Sequence, residues 1–166
     1  MIFTEPMTSR MDTPFAVFII GMRVNKPLHV HRWLPALLAM PRMLKELYAQ
    51  PQYGLLSHET WFSRNIILLQ YWRSFEALVA YAGARDSEHL PAWKAFNRSN
   101  AGSGAVGIWH ETYVIGPGAY ENVYVNMPAF GLGRAGTLVE AKSGLRWATE
   151  RLHSAPGAGG RTDEVA

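Results

Sequence analysis

The sequence predicts an α+β domain built on an antiparallel sheet, and three observations carry that expectation. Residues 15–22 form a continuous apolar run after Pro14, rich in β-branched and aromatic side chains, as in a strand buried on both faces. From residue 29 to 50 the period changes, and Trp33, Leu34, Leu37, Leu38, Leu44 and Leu47 recur at spacings of three and four, the pattern of a helix. Residues 53–62 and 66–72 are then joined by Ser63-Arg64-Asn65, which reads as a β-hairpin. A length of 166 residues suits one domain with, at most, a tail. Its 48% hydrophobic content is enough to build a core.

The elements follow in order. Asn25-Lys26-Pro27 ends the first strand. Pro35 is tolerable in the first turn of the helix, whereas Pro41 is expected to kink it or divide it, and Pro51 closes it. Ser74 is a good N-cap for a second helix through Tyr81, and Gly83 ends it. Asp86-Ser87 offers another N-cap, for a helix reaching about Phe96 and Asn97. After a turn at 100–104, residues 106–115 read as a fourth strand, closed by Gly116-Pro117-Gly118. Residues 120–127 alternate well enough for a short fifth strand, 128–136 form a Gly-rich loop, and 140–152 a C-terminal helix containing Trp147. The expected division is an N-terminal extension (1–13), a core domain (14–136), a C-terminal helix (137–153) and a disordered tail (154–166). The order β-α-β-β-α-β is the split βαβ, or ferredoxin-like, arrangement. Its helices cover one face of the sheet, yet Val17 and Ile19, with Ile66 and Leu68 alternating with Ile67 and Leu69, make both faces apolar. A second copy covering the free face is the economical solution, so a homodimer enclosing a cavity is expected.

Composition removes several classes of function. With no cysteine, there is no disulfide scaffold, thiol nucleophile, cysteine zinc site or thiolate-held iron. The 16 basic and 13 acidic residues give a net charge of only +3, and the basic residues are scattered. No nucleic-acid or membrane partner is therefore expected. The N-terminal stretch lacks a signal-peptide pattern, and the longest apolar run is far short of the ~20 residues that span a bilayer. The expected location is cytoplasmic. No Walker loop, G-x-S-x-G or dinucleotide fingerprint is present.

The candidate residues come from the six histidines and the aromatics. His110 sits mid-strand on one face with Ile108, Thr112 and Val114, while Glu111 points to the other face. An imidazole on an apolar face suits a general acid or base in a dry pocket. It equally suits a buried histidine paired with a backbone group or a tyrosine. His89, at the start of a helix, is placed to ligate a metal from a rigid element, or is a surface residue. Arg73 is one of three arginines suited to carboxylates or propionates, or to a solvated surface. Trp33, Trp72 and Trp93 line an aromatic cavity or fill the core.

Five segments, His31-Arg32-Trp33-Leu34-Pro35, residues 69–76, His89-Leu90-Pro91-Ala92-Trp93, residues 108–113 and Tyr124-Val125-Asn126-Met127-Pro128, carry a resemblance over roughly residues 14–133. The chain resembles the small monooxygenase-like family named for a polyketide-tailoring oxygenase of fumagillin biosynthesis. That resemblance implies a dimeric α/β barrel. A second, more distant resemblance joins Trp109-His110-Glu111 and Tyr124-Val125-Asn126 to the haem-containing aldoxime dehydratases, which are about twice as long. It implies His110 as a distal acid/base histidine beside Glu111, and His89, 21 residues upstream, as the histidine that holds haem iron.

Three functions are expected from these readings. The first is a haem-dependent monooxygenase-like enzyme acting on a small hydrophobic or aromatic substrate, with aldoxime-type dehydration as a second reaction class. In it His110, Glu111 and Tyr113 are catalytic, and His89, the metal ligand, binds the cofactor with Arg73 and Trp93. Trp33, Trp72 and Asn126 form the substrate pocket. The second is a cofactor-free oxygenase of the antibiotic-biosynthesis type. The third is a non-enzymatic module that binds a hydrophobic ligand.

Overall fold

The computed structural model describes residues 1–154; residues 155–166, most of the expected tail, lie outside the described residues. The chain divides into two compact units, one of Ala16–Tyr113 and one of Met1–Phe15 with the chain from Val114 onward.

The first unit is the ferredoxin-like core. Strand β2 (Phe15–Val24) leads into α1 (Val30–Ala49), followed by a 3-10 turn at Pro51–Tyr53 and the hairpin β3 (Leu55–Trp61) and β4 (Asn65–Trp72). Helices α2 (Phe75–Gly83) and α3 (His89–Asn100) then precede β5 (Val106–Ile115). The sheet order is β3-β4-β2-β5, so the first strand of the core enters between its later neighbours. β4 is antiparallel to both β2 and β3. The register sets Ala16 opposite Trp72, Phe18 opposite Gln70, Ile20 opposite Leu68 and Met22 opposite Ile66. These residues share one face because side chains alternate along a strand. On that face Ala16 and Trp72 form a core with Leu47, Leu55, Leu78 and Tyr81.

Two local expectations are corrected here. Pro41 does not divide α1: one helix of 20 residues contains both Pro35 and Pro41. Both prolines lie on its exposed side, where water can satisfy the carbonyls that lack an N–H donor. The apolar face around Leu44 and Leu47 holds the helix on the sheet. Ser87 does not cap α3. Its hydroxyl donates to the carbonyls of Tyr81 and Ala84, at 3.3 and 2.9 Å, because the open C-terminus of α2 offers it acceptors. Residue 88 stands at the α3 N-cap without a side-chain bond. Ser74 does cap α2, its Oγ accepting from Ala77 N at 3.2 Å. Ser74→Ala is expected to cost about 1 kcal/mol, read as a lowered urea midpoint with an unchanged slope.

The second unit holds what the N-terminal and C-terminal segments do. β1 (Met7–Arg10) pairs antiparallel with β6 (Thr137–Glu140), and short helices α4 (Leu132–Ala135) and α5 (Ala148–His153) accompany them. The fifth strand expected at 120–127 is two isolated bridges, Phe3 with Met127 and Met7 with Tyr124. Beyond the second bridge Asn122 replaces a strand neighbour: its side chain accepts from Ser9 N (2.6 Å) and donates to Ser9 O (2.9 Å). The C-terminal helix is confined to six residues, since residues 137–140 are the strand β6. A Cβ on Gly136 would lie 2.5 Å from the Arg10 carbonyl oxygen, so the turn between α4 and β6 needs glycine there. Among the described residues no helix is long and apolar enough to cross a membrane.

Candidate active site

A cavity of about 150 Å³ lies within the first unit, between the sheet and its helices. Phe18, Ile20, Met22, Leu68 and Ile108 form its sheet side. They alternate with the residues of the opposite face, so the pleat that builds the core also builds the cavity floor. On the helix side, Ala36 and Ala39 of α1 and Ala92 of α3 are small, and Met40 and Met43 are flexible. Short side chains leave the space and methionines shape it.

Very few polar groups reach this space. His89 lines it from the first turn of α3. Its Nδ1 lies 3.1 Å from the carbonyl oxygen of Ala82. A carbonyl only accepts, so Nδ1 carries the proton in the neutral ring, and Nε2 keeps its lone pair. Gln70 lines the floor and is 5% exposed. Tyr81 also lines the cavity, but its hydroxyl donates to Glu46 Oε2 at 2.8 Å. Burial first, and then that hydrogen bond, push its phenol well above the usual tyrosine range. Tyr81 therefore stays protonated. The same Glu46 oxygen accepts from Glu88 N at 3.0 Å, which ties α1 to α2 and to the start of α3, next to His89.

The structure brings some of the sequence-selected residues together and leaves others apart. His89, Trp72 and Trp93 all line the cavity; Trp72 is almost fully buried, and Trp93 stacks on Phe96 with centroids 5.9 Å apart. His110 is exposed and is not a lining residue, although its ring lies 5.5 Å from that of Phe18, which is. Glu111 and Tyr113 pair with each other on the opposite face, the Tyr113 hydroxyl donating to Glu111 at 2.6 Å. That bond raises the Tyr113 phenol above its ordinary value. Glu111→Gln is expected to bring the ultraviolet titration of Tyr113 back toward 10, since the neutral amide no longer favours the protonated phenol. Arg73 donates from Nη2 to the Gln52 carbonyl at 3.0 Å, and Trp33 from Nε1 to the Pro27 carbonyl at 2.9 Å; neither lines the cavity. Asn126 belongs to the second unit, where it holds a left-handed φ of 52°. Gln70 was not selected from the sequence. Its signal was available: it is the one polar residue between Ile66 and Tyr71, and it shares a face with Trp72 two residues on.

The cavity can be tested directly for haem. His89 fits one requirement, because a ligating histidine commonly directs its other ring nitrogen to a carbonyl. The space does not fit. About 150 Å³ is the size of an engineered cavity that takes benzene, and a porphyrin is several times larger. No arginine or lysine lines it to meet propionates. Among the described residues no three histidine, aspartate or glutamate side chains gather to hold a metal ion.

A ferredoxin-like α+β domain with an apolar cavity between sheet and helices, lined by one imidazole, defines the class: a split βαβ scaffold with a candidate small-molecule site. The chain belongs to the monooxygenase af470-like family, which it matches over residues 15–132. It is similar to monooxygenase af470 of Aspergillus fumigatus, 31% identical over 129 residues, which cover 71% of this chain and 45% of that protein. The chain thus spans under half the length of that curated relative. Among solved structures it is similar to an aldoxime dehydratase, with a TM-score of 0.63 and 21% identity over 81% of this chain and 42% of that one. It is also similar to SnoaB, a cofactor-independent oxygenase from Streptomyces nogalater, with a TM-score of 0.44 and 13% identity over 61% and 92% of the two chains.

Proposed function

We propose that this chain is an oxidoreductase of the monooxygenase type that oxidises a small apolar ring compound without a bound cofactor. The observation that carries the reading is His89, whose Nδ1 is fixed by the Ala82 carbonyl while the ring lines an apolar cavity. A base so placed takes a proton from a substrate carbon or hydroxyl made acidic by a neighbouring ring or carbonyl. For an activated methylene, His89 Nε2 accepts the proton and the carbanion adds to O2. The imidazolium returns a proton to the peroxide. Loss of water then breaks the O–O bond and the remaining C–H bond and leaves a carbonyl: CH2 plus O2 becomes C=O plus H2O. Membership of a monooxygenase-like family supports this reaction class, and the size of the cavity supports a ring-sized substrate.

The test is oxygen uptake by metal-free, haem-free protein with 2-indanone, whose two benzylic methylenes are activated. Consumption of one O2 per 1,2-indanedione formed supports the reading. Binding without uptake favours a non-enzymatic binding module. The haem-dependent reading rests on the same imidazole of His89 and requires the cavity to widen. Added haem giving a Soret band that His89→Ala loses would establish it in place of the cofactor-free reading.

A homodimer is part of the proposal, with a second copy as the partner of the outer sheet face. Trp61 and Trp109 are exposed on that face, and Ile19, Ile67 and Leu69 lie between them in the register. Sedimentation of a dimer that Trp109→Glu converts to monomer supports it.

A further inference from the structure

The amide of Gln70 explains what kind of ring compound the cavity selects. Trp72 Nε1 lies 2.9 Å from the Gln70 side-chain oxygen. An indole N–H is a donor only, so the atom it meets must be Oε1, and the amide orientation is fixed. The other end of the amide, Nε2, is then a pair of donors with no hydrogen bond among the described residues. The side chain is 95% buried in the sense that only 5% of the residue is exposed, and it lines the cavity. Nε2 is itself reached by solvent, so a ligand oxygen that takes the place of water keeps the donor bonded, whereas an apolar group there leaves it open at a cost of about 1–3 kcal/mol. The Tyr81 hydroxyl is used on Glu46 and the Trp72 N–H on Gln70 itself, while His58, opposite Gln70 on β3, bonds the Tyr48 hydroxyl through Nδ1. Phe18, directly opposite Gln70 in the register, and Leu68 offer no acceptor.

We infer that Gln70 Nε2 is a specificity-determining donor that receives a carbonyl, enolate or phenolate oxygen of the ligand, so that the cavity takes apolar rings bearing one such oxygen. This deepens the reading under Proposed function and rests on it for the reaction. An amide N–H aimed at an enolate oxygen stabilises the charge that proton removal by His89 creates. Trp72 is a positioning residue here, because it holds the amide from behind and makes no use of the ligand's oxygen.

The experiment compares acetophenone with α-methylstyrene, which have nearly the same shape and differ in C=O against C=CH2. Binding of each is followed by Trp fluorescence, and the Gln70 side-chain amide by its ¹H–¹⁵N resonances. The expected result is about tenfold tighter binding of acetophenone, with the Gln70 amide resonances moving for it and not for α-methylstyrene. Gln70→Leu is expected to erase the preference while still binding α-methylstyrene. Trp72→Phe is expected to weaken the preference by freeing the amide. Equal affinity of the parent protein for both compounds, or a preference that survives Gln70→Leu, overturns the inference and leaves the oxygenase reading standing. Binding of neither compound overturns both. A Gln70 shift with acetophenone but no oxygen uptake with 2-indanone upholds the donor role and overturns the oxygenase reading alone.

Discussion

His89→Ala is expected to lower the rate of oxygen uptake by about 10²–10⁴-fold, the usual contribution of a positioned acid or base, while leaving the fold intact. The side chain is only half-buried and its one hydrogen bond goes to a backbone carbonyl, so its loss removes little packing. Ala82 O also belongs to a helix that keeps its other bonds. His110→Ala, by contrast, is expected to change the rate less than tenfold, since that ring is exposed and meets the cavity only through Phe18. The pair of variants separates the two histidines that the sequence alone left as joint candidates. Equal losses for both would mean that His110 reaches the substrate and that the cavity closes differently around it.

Trp72→Ala is expected to cost the most stability. The indole is 1% exposed, sits in the core against Tyr81 with centroids 5.8 Å apart, and satisfies the Gln70 oxygen. Removing a buried tryptophan costs about 3–5 kcal/mol through lost burial and the space left behind. The orphaned Gln70 acceptor adds about 1–3 kcal/mol. Against a total stability of about 5–15 kcal/mol for a domain, this variant should be largely unfolded or melt tens of degrees lower by circular dichroism. Trp72→Phe keeps a six-membered aromatic ring but loses the five-membered ring with its N–H, and is expected to cost about a third as much. A melting point for Trp72→Ala within a few degrees of the parent would place the indole outside the core.

The parts of this molecule that were legible in the sequence are those whose signal is local. The run at 15–22 had to be a strand, the period after residue 29 had to be a helix, and the Ser63-Arg64-Asn65 link had to be a hairpin. The parts that were not legible depend on distant partners. β1 has four residues, too few to show a period, and exists because it pairs with β6 at the far end of the chain. The 120–127 segment alternates like a strand, yet the Asn122 side chain takes the backbone groups of Ser9 that a ladder would have used. The site followed the same rule. His89, Trp72 and Trp93 stood out by residue type, and the structure gathers them around one cavity. Gln70 looked like one polar residue in an apolar strand, and only the indole of Trp72 reveals which end of its amide is free. The pleat puts His110 beside Phe18, but its side chain is exposed and does not line the cavity.

The proposed chemistry requires His89 to present the lone pair of Nε2 to the cavity. The most direct measurement is long-range ¹H–¹⁵N correlation on protein labelled in its histidines, with and without 2-indanone. Neutral His89 is expected to be the Nδ1–H tautomer, and its Nε2 resonance alone to move strongly when the ketone is added. A neutral His89 protonated on Nε2, or an Nε2 resonance indifferent to the ligand, would contradict it.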